Sequence, residues 1–142
     1  MKKRYKILLG IAAVWIIGIV VASPRMVNAW HQKKTMDQTF ADYAGALTSG
    51  RLGDAYGYAD PEFRGTTSLQ EFVAQHQELA AKFGGLKSIE QGQTRVDGKG
   101  TPPRWSSEIH ADLQYQNGTV PMVYWFRDLD GHWRLVGYRR RE

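Results

Sequence analysis

Residues 106–127, SSEIHADLQYQNGTVPMVYWFR, alternate apolar and polar side chains on both sides of a single turn signal. Successive side chains of a β-strand point to opposite faces of the sheet, so the alternation predicts two strands, each with one apolar face. Asn117–Gly118 lies between them and is a strong hairpin signal. The stretch therefore predicts an antiparallel hairpin, with strands over residues 105–116 and 119–127.

Two more strands flank this hairpin, over residues 88–96 and 132–140, and three helices precede the sheet. We expect the helices over residues 35–50, 51–59 and 69–83, and Ser68 with Glu71 forms a capping box at the start of the third. Helices followed by an antiparallel meander predict an α+β fold with the helices on one face of the sheet.

The chain begins with a basic head and an uncharged apolar run from Ile7 to Ala22. As a helix this run spans ~24 Å, slightly less than a ~30 Å hydrocarbon core. We expect residues 1–29 to be a membrane anchor, contacting the membrane through residues 7–23, or a signal sequence cleaved near Ala29. Residues 30–35 are then a linker, and residues 36–142 the folded domain.

The basic head favours a cytoplasmic N-terminus, which predicts a single-pass protein of a bacterial inner membrane with a periplasmic or extracellular domain. If the leader is cleaved, the domain is secreted. Five of the 19 basic residues and none of the 14 acidic ones lie in residues 1–29, so the rest of the chain carries 14 of each. We therefore expect no nucleic-acid partner. The chain has no cysteine, and no motif predicts a metal site or another cofactor.

Three segments together resemble one known superfamily: SGRLGDAYGYADPEFR at 49–64, SLQEFVAQH at 68–76 and DGHWRLVGYRR at 130–140. They are similar to the nuclear transport factor 2-like superfamily, and in particular to its small bacterial membrane-anchored members. The resemblance covers residues 36–142 and implies a cone, in which a curved antiparallel sheet wraps around a long helix. The chain departs from the family order because no clear strand pair lies between its second and third helices. The superfamily contains enzymes, transport adaptors and scaffolds, so the resemblance implies no single activity.

His110 and Asp112 suggest catalysis in isolation, but they lie on the polar face of their strand. That face is opposite the apolar one, so we expect them in solvent and predict no catalytic residue there. His76 is the stronger candidate because it falls within the apolar stripe of the third helix. It lacks an evident carboxylate partner; Asp42 and Asp54 are the conceivable ones. We expect His76, Tyr56, Tyr115 and Phe72 to line a ligand pocket if the interior is open.

Pro121, Val123 and Trp125 share the outward face of the third strand. An outward apolar row on a sheet commonly marks a protein contact, so we expect a protein partner or a homodimer there. The alternative is a patch covered by the chain's own segments.

Two functions follow from these observations. The first is a membrane-tethered, non-catalytic binding or assembly module outside the cytoplasm, which requires an exposed Trp125 and a filled interior. The second is a small-molecule-binding protein or enzyme that uses the interior around His76, which requires a cavity that reaches this residue.

Overall fold

The structure is a computed structural model that describes residues 26–142. Four helices precede the sheet in this part of the chain: α1 over 26–48, α2 over Leu52–Tyr56, α3 over Pro61–Thr66 and α4 over Leu69–Phe83. The strands are β1 over Leu86–Lys99, β2 over Arg104–Tyr115, β3 over Gly118–Leu129 and β4 over His132–Arg140.

The four strands form one antiparallel sheet in the order β1-β2-β3-β4, a simple meander. This order confirms the predicted α+β class. The register of β1 on β2 shifts between Gln91 and Thr94, a segment that contains Gly92. A second register shift, that of β3 on β4, falls between Trp125 and Phe126.

The central hairpin lies where it was predicted, but its turn comes one residue earlier. Tyr115 pairs with Gly118, so Gln116 and Asn117 form the two-residue loop. Gly118 enters the strand because its missing side chain leaves room for Phe83: a Cβ there would lie 3.0 Å from the Phe83 ring. The end of α4 is therefore fitted closely against the hairpin.

One face of the sheet forms the core with the helices. Ile109, Leu113, Tyr124 and Leu135 of the strands are fully buried. Phe40 of α1 packs against these side chains, and its ring centre lies 5.4 Å from that of Tyr124. The alternation of residues 106–127 therefore identifies the buried face correctly.

Residues 30–35, predicted as a linker, are helical and belong to α1. Thr35, where the first helix was predicted to begin, lies within α1. Its hydroxyl donates to Gln32 O at 3.0 Å and accepts from Trp133 Nε1 at 3.1 Å. This second bond ties the middle of α1 to β4, so the helix is held to the domain from residue 35 onward.

The prediction of three helices was wrong, because residues 60–67, DPEFRGTT, between the second and third predicted helices, contain the additional helix α3. Asp60 caps this helix by accepting from Phe63 N at 2.7 Å, and Pro61 occupies its first turn. Proline is well suited to this position because its missing N–H would have no helical partner there. α2 has already ended at Tyr56, so this Asp–Pro pair starts a helix and does not end one.

Residues 26–142 contain no helix of sufficient length and apolarity to span a bilayer. The predicted membrane contact through residues 7–23 and most of the predicted leader lie outside the described residues.

Candidate functional site

A pocket of about 180 Å³ lies where α4 meets the end of α1 and the start of α2. The start of β1 and the end of β2 complete its wall. Most of its wall is apolar. Its polar side chains are those of Thr48, His76, Gln77 and Tyr115. Its lining consists of Leu47, Thr48, Gly50, Leu52, His76, Gln77, Ala80, Leu86 and Tyr115.

His76 is 8% exposed and lies in the middle of α4. Its Nδ1 is 2.8 Å from the carbonyl oxygen of Phe72, one turn earlier. Its ring centre lies 4.4 Å from that of Phe72 and 5.6 Å from that of Tyr138. Burial lowers the pKa of His76, because water no longer solvates the charged imidazolium, and the Phe72 hydrogen bond offsets part of this effect. The ring is therefore neutral at pH 7 and fixed in orientation.

Several buried phenols lie between the pocket and the centre of the core. Burial raises the pKa of Tyr115, Tyr138 and Tyr124, so all three remain protonated at neutral pH. Tyr138 donates to Gln75 Oε1 of α4. The Tyr124 hydroxyl is fully buried and has no hydrogen-bond partner among residues 26–142. The interior around these tyrosines is thus aromatic and uncharged, and the Tyr124 hydroxyl has unused hydrogen-bonding capacity.

The four predicted pocket residues divide into two pairs. His76 and Tyr115 lie together in the pocket wall, whereas Phe72 and Tyr56 lie in the core beside it. Phe72 is fully buried and supports the His76 ring. The Tyr56 hydroxyl donates to Thr67 O at 2.7 Å, so it connects α2 to the segment before α4.

Neither carboxylate that the sequence offered as a partner for His76 lies in this pocket. Asp42 accepts from Gln38 at 3.1 Å, and Asp54 pairs with Arg51 at 3.1 Å, both on the exposed side of their helices. Both line a separate open groove between α1 and α2. Among residues 26–142 no carboxylate contributes to the lowered pKa of His76, so this part of the chain does not give the histidine the acidic partner that general acid–base catalysis normally uses.

Pro121, Val123 and Trp125 lie on the sheet face opposite the helices, as the alternation predicts. They are less exposed than an open apolar row would be: Val123 is 3% exposed and the other two are half-buried. The Arg139 guanidinium lies 5.7 Å from the centre of the Trp125 ring. The Trp125 indole donates to Glu108 Oε2 at 3.2 Å. This outer face therefore combines one aromatic side chain with charged neighbours.

His110 and Asp112 also lie on the outer face, where each contacts a charged side chain. His110 Nε2 is 2.8 Å from Glu108 Oε1, and Asp112 Oδ1 accepts from Arg141 at 2.6 Å. The hydrogen bonds from His110 and then Trp125 lower the pKa of Glu108. These side chains are half-exposed on an open sheet, and the described residues include no cluster of three potential metal ligands.

Sequence reasoning missed the apolar wall of the pocket. Leu47, Leu52 and Leu86 come from three different elements of the chain, α1, α2 and β1. It also missed Arg141, whose partner Asp112 is 29 residues away in the chain. No local pattern signals either arrangement, because both depend on which parts of the chain the fold brings together.

Comparison with known proteins relates the chain to others through its fold alone. No family model matches the sequence, and no curated protein matches it. Among solved structures, the structure of Aln2 from a Streptomyces species aligns with a TM-score of 0.59 at 13% sequence identity. The alignment covers 79% of this chain and 91% of Aln2. At this identity the likeness shows a shared fold and carries no activity from one protein to the other.

Proposed function

We propose that the folded domain is a non-catalytic module that binds a small, mainly apolar molecule in the pocket between α1, α4 and the sheet. The single observation that carries this proposal is that His76 and Tyr115 lie together in the wall of a mainly apolar pocket. Small-molecule sites have this composition, in which apolar surface supplies affinity and a few polar groups fix orientation.

The absence of a carboxylate beside His76 in the described part of the chain argues for binding rather than catalysis. An acidic partner usually orients a catalytic histidine and stabilises the imidazolium that forms when it accepts a proton. His76 instead contacts a backbone carbonyl and aromatic rings. A neutral imidazole in an apolar wall is suited to recognition of a ligand.

The rest of the proposal comes from the sequence. The basic head and the apolar run at residues 7–23 support a tether in a bacterial inner membrane, with the domain on its outer side. The α+β architecture and the fold shared with Aln2 support membership of the nuclear transport factor 2-like superfamily. In that arrangement the pocket would sample molecules outside the cytoplasm.

Filling the pocket tests this function. Ala80 lines the pocket, whereas its neighbour Ala81 is exposed and does not. Single-ring compounds, beginning with 4-methylanisole, should shift the NMR resonances of pocket residues in the wild-type chain and in Ala81→Phe. Ala80→Phe should abolish these shifts. If the shifts are absent from the wild type, or persist in Ala80→Phe, the pocket is not a binding site.

The outer face of the sheet supports a second candidate function, the contact with a protein partner or a second copy. The supporting observation is the half-exposed Trp125 with Arg139 above it, since tryptophan and arginine are enriched at interfaces. The buried Val123 reduces the apolar area available, so this face ranks below the pocket.

A further inference from the structure

The hydrogen bond between His76 and Phe72 determines which imidazole nitrogen carries the proton. A carbonyl oxygen only accepts hydrogen bonds, so His76 Nδ1, 2.8 Å from Phe72 O, must be the donor. A neutral imidazole has one N–H, and its other nitrogen is an acceptor. In His76 the acceptor is therefore Nε2.

This Nε2 has no hydrogen-bond partner among residues 26–142, and the imidazole that carries it lines the pocket. The i to i−4 bond within α4 also fixes the ring, so the acceptor is pre-oriented before any ligand arrives. Tyr115 contributes a protonated phenol to the same wall, and a phenol can donate or accept.

From this geometry we infer that the pocket selects a neutral ligand about the size of one ring that carries a hydroxyl group, and that this hydroxyl donates to His76 Nε2. The inference rests on the proposed function, since it names the ligand class of the same site. A molecule without a donor would leave the acceptor unpaired in an apolar wall, which costs affinity.

Size and charge restrict the ligand further. An apolar protein cavity of roughly 150 Å³ holds a benzene molecule, so a pocket of about 180 Å³ has room for a single ring with small substituents. None of the nine lining residues is lysine, arginine, aspartate or glutamate. An anionic ligand would therefore be desolvated there without a cation to compensate it.

Three matched probes test this inference on the full chain: p-cresol, its methyl ether 4-methylanisole, and p-toluate. They share one methyl-substituted ring and differ in carrying a hydroxyl, a capped hydroxyl or a carboxylate. We expect p-cresol to bind about fivefold more tightly than 4-methylanisole, the contribution of one hydrogen bond, and p-toluate not to bind. His76→Phe should remove the preference for p-cresol, and His110→Phe, the same change on the outer face, should preserve it.

The ¹⁵N chemical shifts of the imidazole give a readout that does not depend on a variant. We expect Nδ1 of His76 to be protonated and Nε2 to be bare in the free protein, with the Nε2 resonance moving when p-cresol is added. Equal affinities for p-cresol and its ether, or a protonated Nε2 in the free protein, would overturn the inference while leaving the pocket a binding site. Failure of all three probes to bind would instead reject the proposed function.

Discussion

The rings of Tyr43 and Tyr124 lie 5.6 Å apart at an angle of 72°, and neither hydroxyl has a hydrogen-bond partner among the described residues. Both side chains are fully buried. A buried hydroxyl without a partner loses its hydration and gains nothing in return. The core therefore contains two polar groups that do not stabilise it.

Removal of the Tyr124 hydroxyl should leave the domain as stable as before or stabilise it by up to about 1 kcal/mol. Tyr56→Phe is the matched control, because the Tyr56 hydroxyl donates to Thr67 O and its loss should cost about 1 kcal/mol. Urea denaturation of Tyr124→Phe, Tyr56→Phe and the wild type measures both effects. A clear destabilisation by Tyr124→Phe would mean that its hydroxyl is satisfied in solution.

The stability of the domain should fall on acidification, and His76 should account for part of this fall. Because burial lowers the folded-state pKa of His76, the unfolded chain binds more protons below about pH 6.5. The contribution of His76 is complete above that pH and is lost as the pH falls through the folded pKa. The titratable groups that face this ring, Tyr138 and Tyr115, have raised pKa values and do not titrate in this window.

Denaturant unfolding at a series of pH values from about 4.5 to about 7.5 measures this contribution. His76→Gln should flatten the pH dependence of the unfolding free energy, while His132→Gln, a change at an exposed site, should not. An unchanged slope in His76→Gln would show that the imidazole titrates normally in the folded chain.

Asp60 should be among the most sensitive polar positions. It is fully buried, caps α3 through Oδ1, and its Oδ2 lies 2.6 Å from Arg127 Nε, an ion pair without hydrogen-bond alignment. Asp60→Ala loses both functions and should cost about 2–3 kcal/mol, because Arg127 is partly exposed and retains Glu62 nearby. Asp60→Asn keeps the capping oxygen and should cost about 1 kcal/mol. Thermal unfolding that ranks the two variants equally would contradict this division of roles.

Gly84 and Gly50 should differ in how much stability the domain loses when each is replaced by alanine. Both have positive φ, 82° and 72°, but a Cβ on Gly84 would lie 2.7 Å from Gln116 Cβ, whereas one on Gly50 meets nothing within 4 Å. Gly50→Ala should cost about 1 kcal/mol from strain alone. Gly84→Ala should cost more, because its φ of 82° and ψ of −170° lie in a region essentially restricted to glycine and because the hairpin must also move away from α4. Chemical denaturation compares the two variants, and equal losses would contradict this ranking.

Trp125→Arg tests the outer face of the sheet. If this face joins two copies of the chain, the variant should sediment as a monomer under conditions in which the wild type is a dimer. Leu69→Arg is the control: Leu69 is 44% exposed on α4, away from this face, and its change should leave sedimentation unaltered. Identical sedimentation of Trp125→Arg and the wild type would remove the support for a homodimer through the sheet.

Local patterns predicted the elements that depend on local physics. The alternation around Ile109 and Leu113 identified the buried face of the sheet, and the Ser68–Glu71 capping box is present at the start of α4. The pocket was only half predictable. His76 follows from its place in an apolar stripe, but the leucines around it come from elements that meet only in the folded chain. The helix that begins at Pro61 was not predicted, because an Asp–Pro pair is typical of a helix break as well as of a helix start.

The first described residue and the core belong to one helix. Ten residues, 26–35, precede the first fully buried one, Met36, without a break, and they extend the helix by about 15 Å. Helices resist bending over such distances, so a rotation applied at residue 26 turns the sheet and the pocket by the same angle. The direction in which the pocket mouth faces, relative to residue 26, is consequently set by the rotation of α1 about its own axis. The insertion of one residue between residue 26 and Met36 would rotate the pocket by roughly 100° relative to residue 26.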